Sequence, residues 1–293
     1  MSYEGWILLT GALVGITCGI VGCFLILRKM AMLADAISHT VLLGIVGAFL
    51  VSHSMAGVPM FIGAIIVGLL TAFFVQLLDS LRVQSYAAIG VVFTSLFALG
   101  VILLSLFTSR VHLDVDHALM GEIAFVPWDT LEFFGKEMGP KAVWMLGFVL
   151  LADLAIILLF YKELKITSFD PQMAAALGIP VLLIHYLLMG MLSITTVASF
   201  DSVGAILVVA MLIVPGAAAY LLTDRLSVML VLSAAIGALS AIIGYYLAVW
   251  FNVSISGMMA AAAGGIFAAV FIFSPKHGLI AKWAANRKIS RYS

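Results

Sequence analysis

Residues 27–45, "LRKMAMLADAISHTVLLGI", decide how this chain is read. They carry an aspartate and a histidine, Asp35 and His39, four residues apart inside a run that otherwise has the makeup of an apolar helix. Composition says what solvent that helix meets. The chain has 293 residues, a mean hydropathy of +1.25, 65% hydrophobic residues and only 10% charged ones. A water-soluble fold of this size needs far more polar surface, so the solvent for most of this chain is lipid. At membrane depth an aspartate costs at least about 2.5–3.5 kcal/mol on the mildest scale. Something must offset that cost.

Outward from this stretch, apolar runs of about 20 residues alternate with short polar breaks. They predict spans at 6–27, 30–51, 59–78, 86–107, 141–161, 181–200, 202–222, 226–250 and 255–274. The fold class is therefore all-α, a single polytopic integral membrane domain over 1–293 with about nine spans. Eight is the alternative, because Pro215-Gly216 could break the 202–222 segment. Polar stretches at 108–140 and 162–180, and a basic tail at 275–293, interrupt or follow the spans. The first residues carry Glu4 and no basic cluster, so no signal peptide is read there.

Threading nine spans back from a cytoplasmic tail puts eleven Lys and Arg inside and three, Arg110, Lys136 and Lys141, outside. That bias predicts an N-terminus outside, a C-terminus in the cytoplasm, an extracytoplasmic 108–140 stretch and a cytoplasmic 162–180 stretch. A faint echo, "GITC" at 15–18 with "SITT" at 193–196 and "AML" at 31–33 with "AML" at 210–212, is compatible with an inverted repeat. The two cysteines, Cys18 and Cys23, share one predicted helix and point about 140° apart, which suits packing better than chelation. Net charge is zero, so nothing points to nucleic acid. There is no phosphate-binding G-x-x-x-x-G-K-[ST] loop, no His-Glu-x-x-His and no legible Ser–His–Asp arrangement. A nucleotide hydrolase or an intramembrane protease is disfavoured.

At i and i+4, Asp35 and His39 leave one helix face, one above the other. Counting about 1.5 Å per residue puts His39 about 13–14 Å into a core about 30 Å thick, near the midplane. A carboxylate with an imidazole suits a divalent cation of the manganese, iron or zinc kind, whose charge would make the aspartate tolerable. The alternative is a private Asp–His hydrogen bond within the helix that helps helices pack. Two ligands are too few for a first-row metal, so other helices or a second copy must supply the rest. A twofold dimer with this face on its axis is the first choice.

Elsewhere, "SFDPQMAAALGIP" reads as a short surface helix, with Asp170 as N-cap, Pro171 at the first helical position, Gly178 as a stop and Pro180 beyond. "RVHLDVDHALMGEI" sets His112, Asp114, Asp116 and His117 within six residues, either a metal staging site or a hydrophilic cap on the loop. "PWDTLEFFGKE" reads as an interfacial segment around Trp128. His185 is a pathway candidate or a helix-contact residue, Asp201 closes its span, and Asp153 sits mid-span with no partner the sequence names. Met30 and Met32 read as packing.

These stretches together resemble the permease subunits of metal-importing ABC transporters, closest to manganese permeases of Gram-positive bacteria. The likeness lies in "MLADAISHTVLLGI", "LRKM", "DHALMGEI", "ITSFDPQMAAALGIP" and "SVGAILVVAMLIVPGAAAYLL". Two departures stand out: Thr40-Val41-Leu42-Leu43-Gly44 lacks a proline common in relatives, and Glu122 stands where Asn is frequent. The resemblance implies that Asp35 and His39 bind metal in transit and that Asp114 and His117 match a D-x-x-H of the family. It also implies that the helix around Asp170, Pro171, Ala175 and Gly178 docks an ABC ATPase. Expected partners are that ATPase, an extracytoplasmic metal-binding protein and a second copy of the chain in preference to a paralogous permease. No permanent cofactor is expected; the ion, Mn2+ or Zn2+, is cargo. The expected protein is not itself an enzyme and lies in the bacterial plasma membrane. A stand-alone ion-coupled metal carrier and an ABC permease for metal chelates are the alternatives.

Overall fold

The computed structural model describes residues 2–52, 57–107, 122–133, 136–274 and 278. Among them, nine helices are long and apolar enough to cross a membrane. They are α1 (Tyr3–Leu27), α2 (Ala31–Ser52), α3 (Gly57–Ser80), α4 (Ser85–Phe107), α5 (Lys141–Leu159), α8 (Val181–Val203), α9 (Ala205–Leu222), α10 (Leu226–Phe251) and α11 (Ile255–Phe273). Two short helices, α6 (Tyr161–Phe169) and α7 (Pro171–Ala176), stand between α5 and α8. The eight-span alternative falls. Pro215 lies inside a continuous α9, and the break comes earlier, at Gly204 with φ 81°. A proline removes one backbone donor, and at 18 residues α9 still covers about 27 Å.

The chain folds as two interleaved compact units rather than as sequential halves. One comprises Met1–Lys29, Ile123–Val143 and Ile206–Ser293; the other comprises Met30–Glu122 and Trp144–Ala205. The first changeover falls in the Arg28-Lys29-Met30 link, where Lys29 takes a left-handed φ of 58°. Burial pushes the Arg28 guanidinium down to about 10, which leaves it cationic at neutral pH.

In the first unit, α1 packs on α10, and α10 on α11. The α1–α10 seam is made of small residues at every fourth position. A Cβ placed on Gly11 would lie 3.2 Å from that of Ala241, one on Gly15 2.5 Å from the Gly237 carbonyl, and one on Gly19 2.8 Å from Ser233 Oγ. This antiparallel ladder lets two backbones approach until dispersion contacts hold them, the main source of helix attraction in lipid. Ser233 Oγ donates to the Gly19 carbonyl at 2.7 Å, tying the seam at its last rung. Residues Ile123–Trp128 form a 3-10 turn, and Thr130–Phe133 (β1) pairs antiparallel with Lys136–Pro140 (β2). Tyr3 Oη donates to the Ala124 carbonyl at 2.5 Å, holding that turn to α1. The strand pairing is an addition to the sequence reading, which took the segment around Trp128 only as interfacial. Its strands are too short for an alternating pattern to register.

In the second unit, α2 lies against α3, α4 and α8, and α3 also packs on α8. Gly44 faces Gly63 so closely that a Cβ on either would reach the other's carbonyl at 2.5 Å. Thr71 Oγ1 donates to Thr40 Oγ1 at 2.9 Å across the same interface. The peripheral α5 buries one stripe, Leu146, Val149, Asp153 and Ile157, at helical spacing.

The glycine ladder makes a direct prediction. Gly15→Leu should destabilise the detergent-purified chain by about 1–3 kcal/mol or more, the usual penalty of overpacking against atoms that cannot move. Gly147→Leu, where a Cβ meets nothing within 4 Å, should leave the melting temperature unchanged. Thermal unfolding followed by size-exclusion chromatography reads both.

Candidate metal site

α2 begins at Ala31, so Asp35 and His39 occupy its second and third turns, His39 about 12 Å along the axis. His39 Nε2 stands 3.6 Å from Asp35 Oδ1. That is too long for a hydrogen bond, so the private Asp–His bond is not formed. The side chains are 43% (His39) and 41% (Asp35) exposed in the single chain, while Ala34, Ala36, Ile37, Ser38 and Thr40 around them are buried. One face of α2 is thus packed, and the face bearing Asp35 and His39 is more open.

The packed neighbours fix that helix. Ser38 Oγ donates to the Asp35 carbonyl at 2.7 Å and Thr40 Oγ1 to the Ile37 carbonyl at 3.2 Å, so these hydroxyls are spent locally. Against His39 stands an aromatic pair from α4. The Phe93 ring centroid is 5.3 Å away and tilted by 43°, and the Phe97 ring is 6.0 Å away and edge-on at 72°. Sequence reasoning missed both. An i, i+4 phenylalanine pair in an apolar span carries no local sign of what it faces; only its recurrence at the helical period could have flagged a common surface.

Other expected residues fall into place separately. Among the described residues no group of three His, Cys, Asp or Glu side chains gathers as a metal would require. His185 is buried on α8 with its ring 5.7 Å from that of Tyr186, and does not join Asp35 and His39. Asp114 and His117, with His112 and Asp116, lie outside the described residues, as does almost all of the basic tail. Asp153 finds the partner that the sequence could not name: Thr195 Oγ1 of α8 donates to its Oδ2 at 2.6 Å. Asp201 is exposed near the end of α8. Cys18 and Cys23 are buried in α1, Cys23 Sγ lying 3.6 Å from the Met229 carbonyl.

The 162–180 stretch is not one polar loop with one helix, because α6 continues from α5 as far as Phe169 before α7 begins. Lys162, Glu163 and Lys165 masked α6 in a hydropathy reading, although straight-chain residues favour helix. At α7 the caps are as read. Asp170 Oδ1 accepts from the Met173 amide at 2.9 Å, Pro171 is the first helical residue, and Gly178 takes φ 79° just past the end. Ala174 packs inward, whereas Phe169, Met173 and Leu177, spaced four apart, are all exposed. The segment around α7 thus carries three large exposed apolar side chains, on both sides of the helix break at Asp170.

Set against known proteins, residues 3–274 match the ABC 3 transport family. The chain is 69% identical over 282 residues to the manganese transport system membrane protein MntD of Bacillus subtilis, covering 96% of each. It is 44% identical over 284 residues to the zinc transport system membrane protein TroD of Treponema pallidum, covering 97% of this chain and 77% of that one. Among solved structures, PsaBC of Streptococcus pneumoniae in complex with Fab superposes with a TM-score of 0.78, at 36% identity and 94% coverage of both chains. A multi-pass helical membrane protein with these relatives over nearly its whole length has one assignment: the chain belongs to the ABC 3 transport family.

Proposed function

We propose that this chain is the membrane-spanning permease subunit of an ATP-driven importer for a divalent transition metal, manganese first and zinc next. The observation that carries the reading is the Asp35–His39 pair, set 3.6 Å apart on the open face of α2 with no third donor of its own chain among the described residues. Permeases named for manganese and zinc transport are its relatives over nearly full length, and a carboxylate–imidazole set accepts either ion. Without thiolates the ligand set holds its cargo loosely enough to release it. Asp35→Ala and His39→Ala should each reduce radiolabelled manganese uptake to the level of cells lacking the chain, at equal membrane expression. Near-normal uptake by both would overturn the assignment.

The open face is best completed by a second copy about a twofold axis, bringing two Asp35 and two His39 side chains to one ion. Like carboxylates sharing a site repel, and a divalent cation relieves that repulsion. Ligation also needs neutral imidazole, so binding should release protons and weaken in acid. Calorimetry in two buffers of different ionisation enthalpy should find about one ion per dimer with net proton release, both lost in Asp35→Asn. Two independent ions per dimer without proton release would place a complete site in each protomer instead.

Transport against a gradient needs an energy source, and a separate ABC ATPase supplies it in this reading. Its contact is α7 with the exposed Met173 and Leu177, on the side that the distribution of Lys and Arg assigns to the cytoplasm. An extracytoplasmic metal-binding protein delivers the ion at the opposite side, where Asp114 and His117 stand as candidate staging ligands and His185 as a candidate of the pathway. Ala175→Cys should crosslink to a cysteine in the ATPase docking groove. Crosslinks confined to residues 80–85 or 223–226 would move the contact elsewhere.

A further inference from the structure

We propose that Phe93 and Phe97 form a dehydrating wall beside the Asp35–His39 pair, and that this wall sets which divalent cations the pair accepts. The inference rests on that pair being the ion's ligands and adds the residues that discriminate among ions. Both phenyl rings belong to α4, one turn apart, their centroids 6.0 Å from each other and 5.3 and 6.0 Å from the His39 ring. They are held there by a close helix crossing. At Gly100 an added Cβ would stand 3.0 Å from the Leu43 amide nitrogen, one turn beyond His39 on α2. A larger residue at that point would lift α4, and the rings with it, off the imidazole.

The consequence is chemical. On the flank that the rings occupy, an ion at the pair meets carbon instead of oxygen. The hydroxyl nearest in sequence, Thr94 Oγ1, is turned back on the Gly90 carbonyl at 2.8 Å and adds no ligand there. A hydrated ion must lose water on that side, and apolar walls resist rewetting. Magnesium holds its octahedral water shell reluctant to exchange, whereas first-row transition ions accept imidazole nitrogen in its place. The wall therefore raises the cost of entry most for the ion that binds water hardest. Packed against His39, the rings also restrict imidazole rotation and keep Nε2 directed toward Asp35.

The test uses the full-length chain in lipid nanodiscs, titrated with MnCl2 with and without excess MgCl2, free Mn2+ being read by electron paramagnetic resonance. Wild type should bind Mn2+ with an affinity indifferent to Mg2+. In Phe93→Ser and Phe97→Ser, Mg2+ should compete and weaken apparent Mn2+ binding by about tenfold or more, the scale seen when groups surrounding metal ligands are changed. Phe97→Leu, which returns apolar bulk without a ring, should recover most of the discrimination. Double resonance of bound Mn2+ in D2O, compared between wild type and Phe97→Ser, gives a second reading: fewer waters should remain on the wild-type ion than on the variant's. Folded serine variants as indifferent to Mg2+ as wild type, together with equal water counts on both ions, would overturn the wall. Asp35→Ala separates the two claims. If it binds Mn2+ like wild type, the ligand assignment itself fails; if it loses binding while the serine variants keep selectivity, only the wall does.

Discussion

Hydrocarbon solvates no polar group and gives apolar helices no hydrophobic reason to leave it. Every feature of this protein answers one of those two facts. Among the described residues, backbone groups are satisfied by helix along nine spans, and helices hold to one another by backbone proximity at small residues. The ladder of Gly11, Gly15 and Gly19 on Ala241, Gly237 and Ser233, and the Gly44–Gly63 crossing, are where that proximity is reached. A leucine at such a point would separate the backbones and forfeit the contacts along the whole seam.

Polar side chains inside the bundle follow the same rule. Thr40 with Thr71, Ser233 with the Gly19 carbonyl, and Asp153 with Thr195 are matched across helices. Such bonds average about 0.6 kcal/mol in membrane proteins, so they align helices more than they bind them. Asp153 is the extreme case: one carboxyl in an otherwise apolar stripe, 2% exposed, fixing where α5 sits along α8. A single polar residue in a packed seam sets register in this way at some expense of stability.

Asp35 and His39 depart from that rule, and the departure is what the proposed metal site rests on. Their side chains are open, make no hydrogen bond with each other and stand among buried neighbours. Asp153 with Thr195, Thr40 with Thr71 and Ser233 with the Gly19 carbonyl are closed and paired, whereas Asp35 and His39 are left available. In the proposed reading, that difference separates a residue that aligns helices from one that takes a passing ion. The capped α7 shows the equivalent contrast at the surface, where helix ends are satisfied internally while Phe169, Met173 and Leu177 remain uncovered.

Much of this was readable from the chain alone, for physical reasons. Span positions follow from hydropathy because burial in lipid is a property of about 20 consecutive residues, and the caps of α7 follow because Asp170, Pro171 and Gly178 act within one turn. The facing of Asp35 and His39 follows from helical period. Tertiary structure decided what depends on residues far apart in sequence. It pairs Asp153 with Thr195, lays Phe93 and Phe97 on His39, pairs strand 130–133 with strand 136–140, and interleaves the chain into two units. Phenylalanine in an apolar helix and glycine in a Gly-rich one look alike wherever they stand. Only the helix opposite tells a lipid-facing ring from the wall of a site.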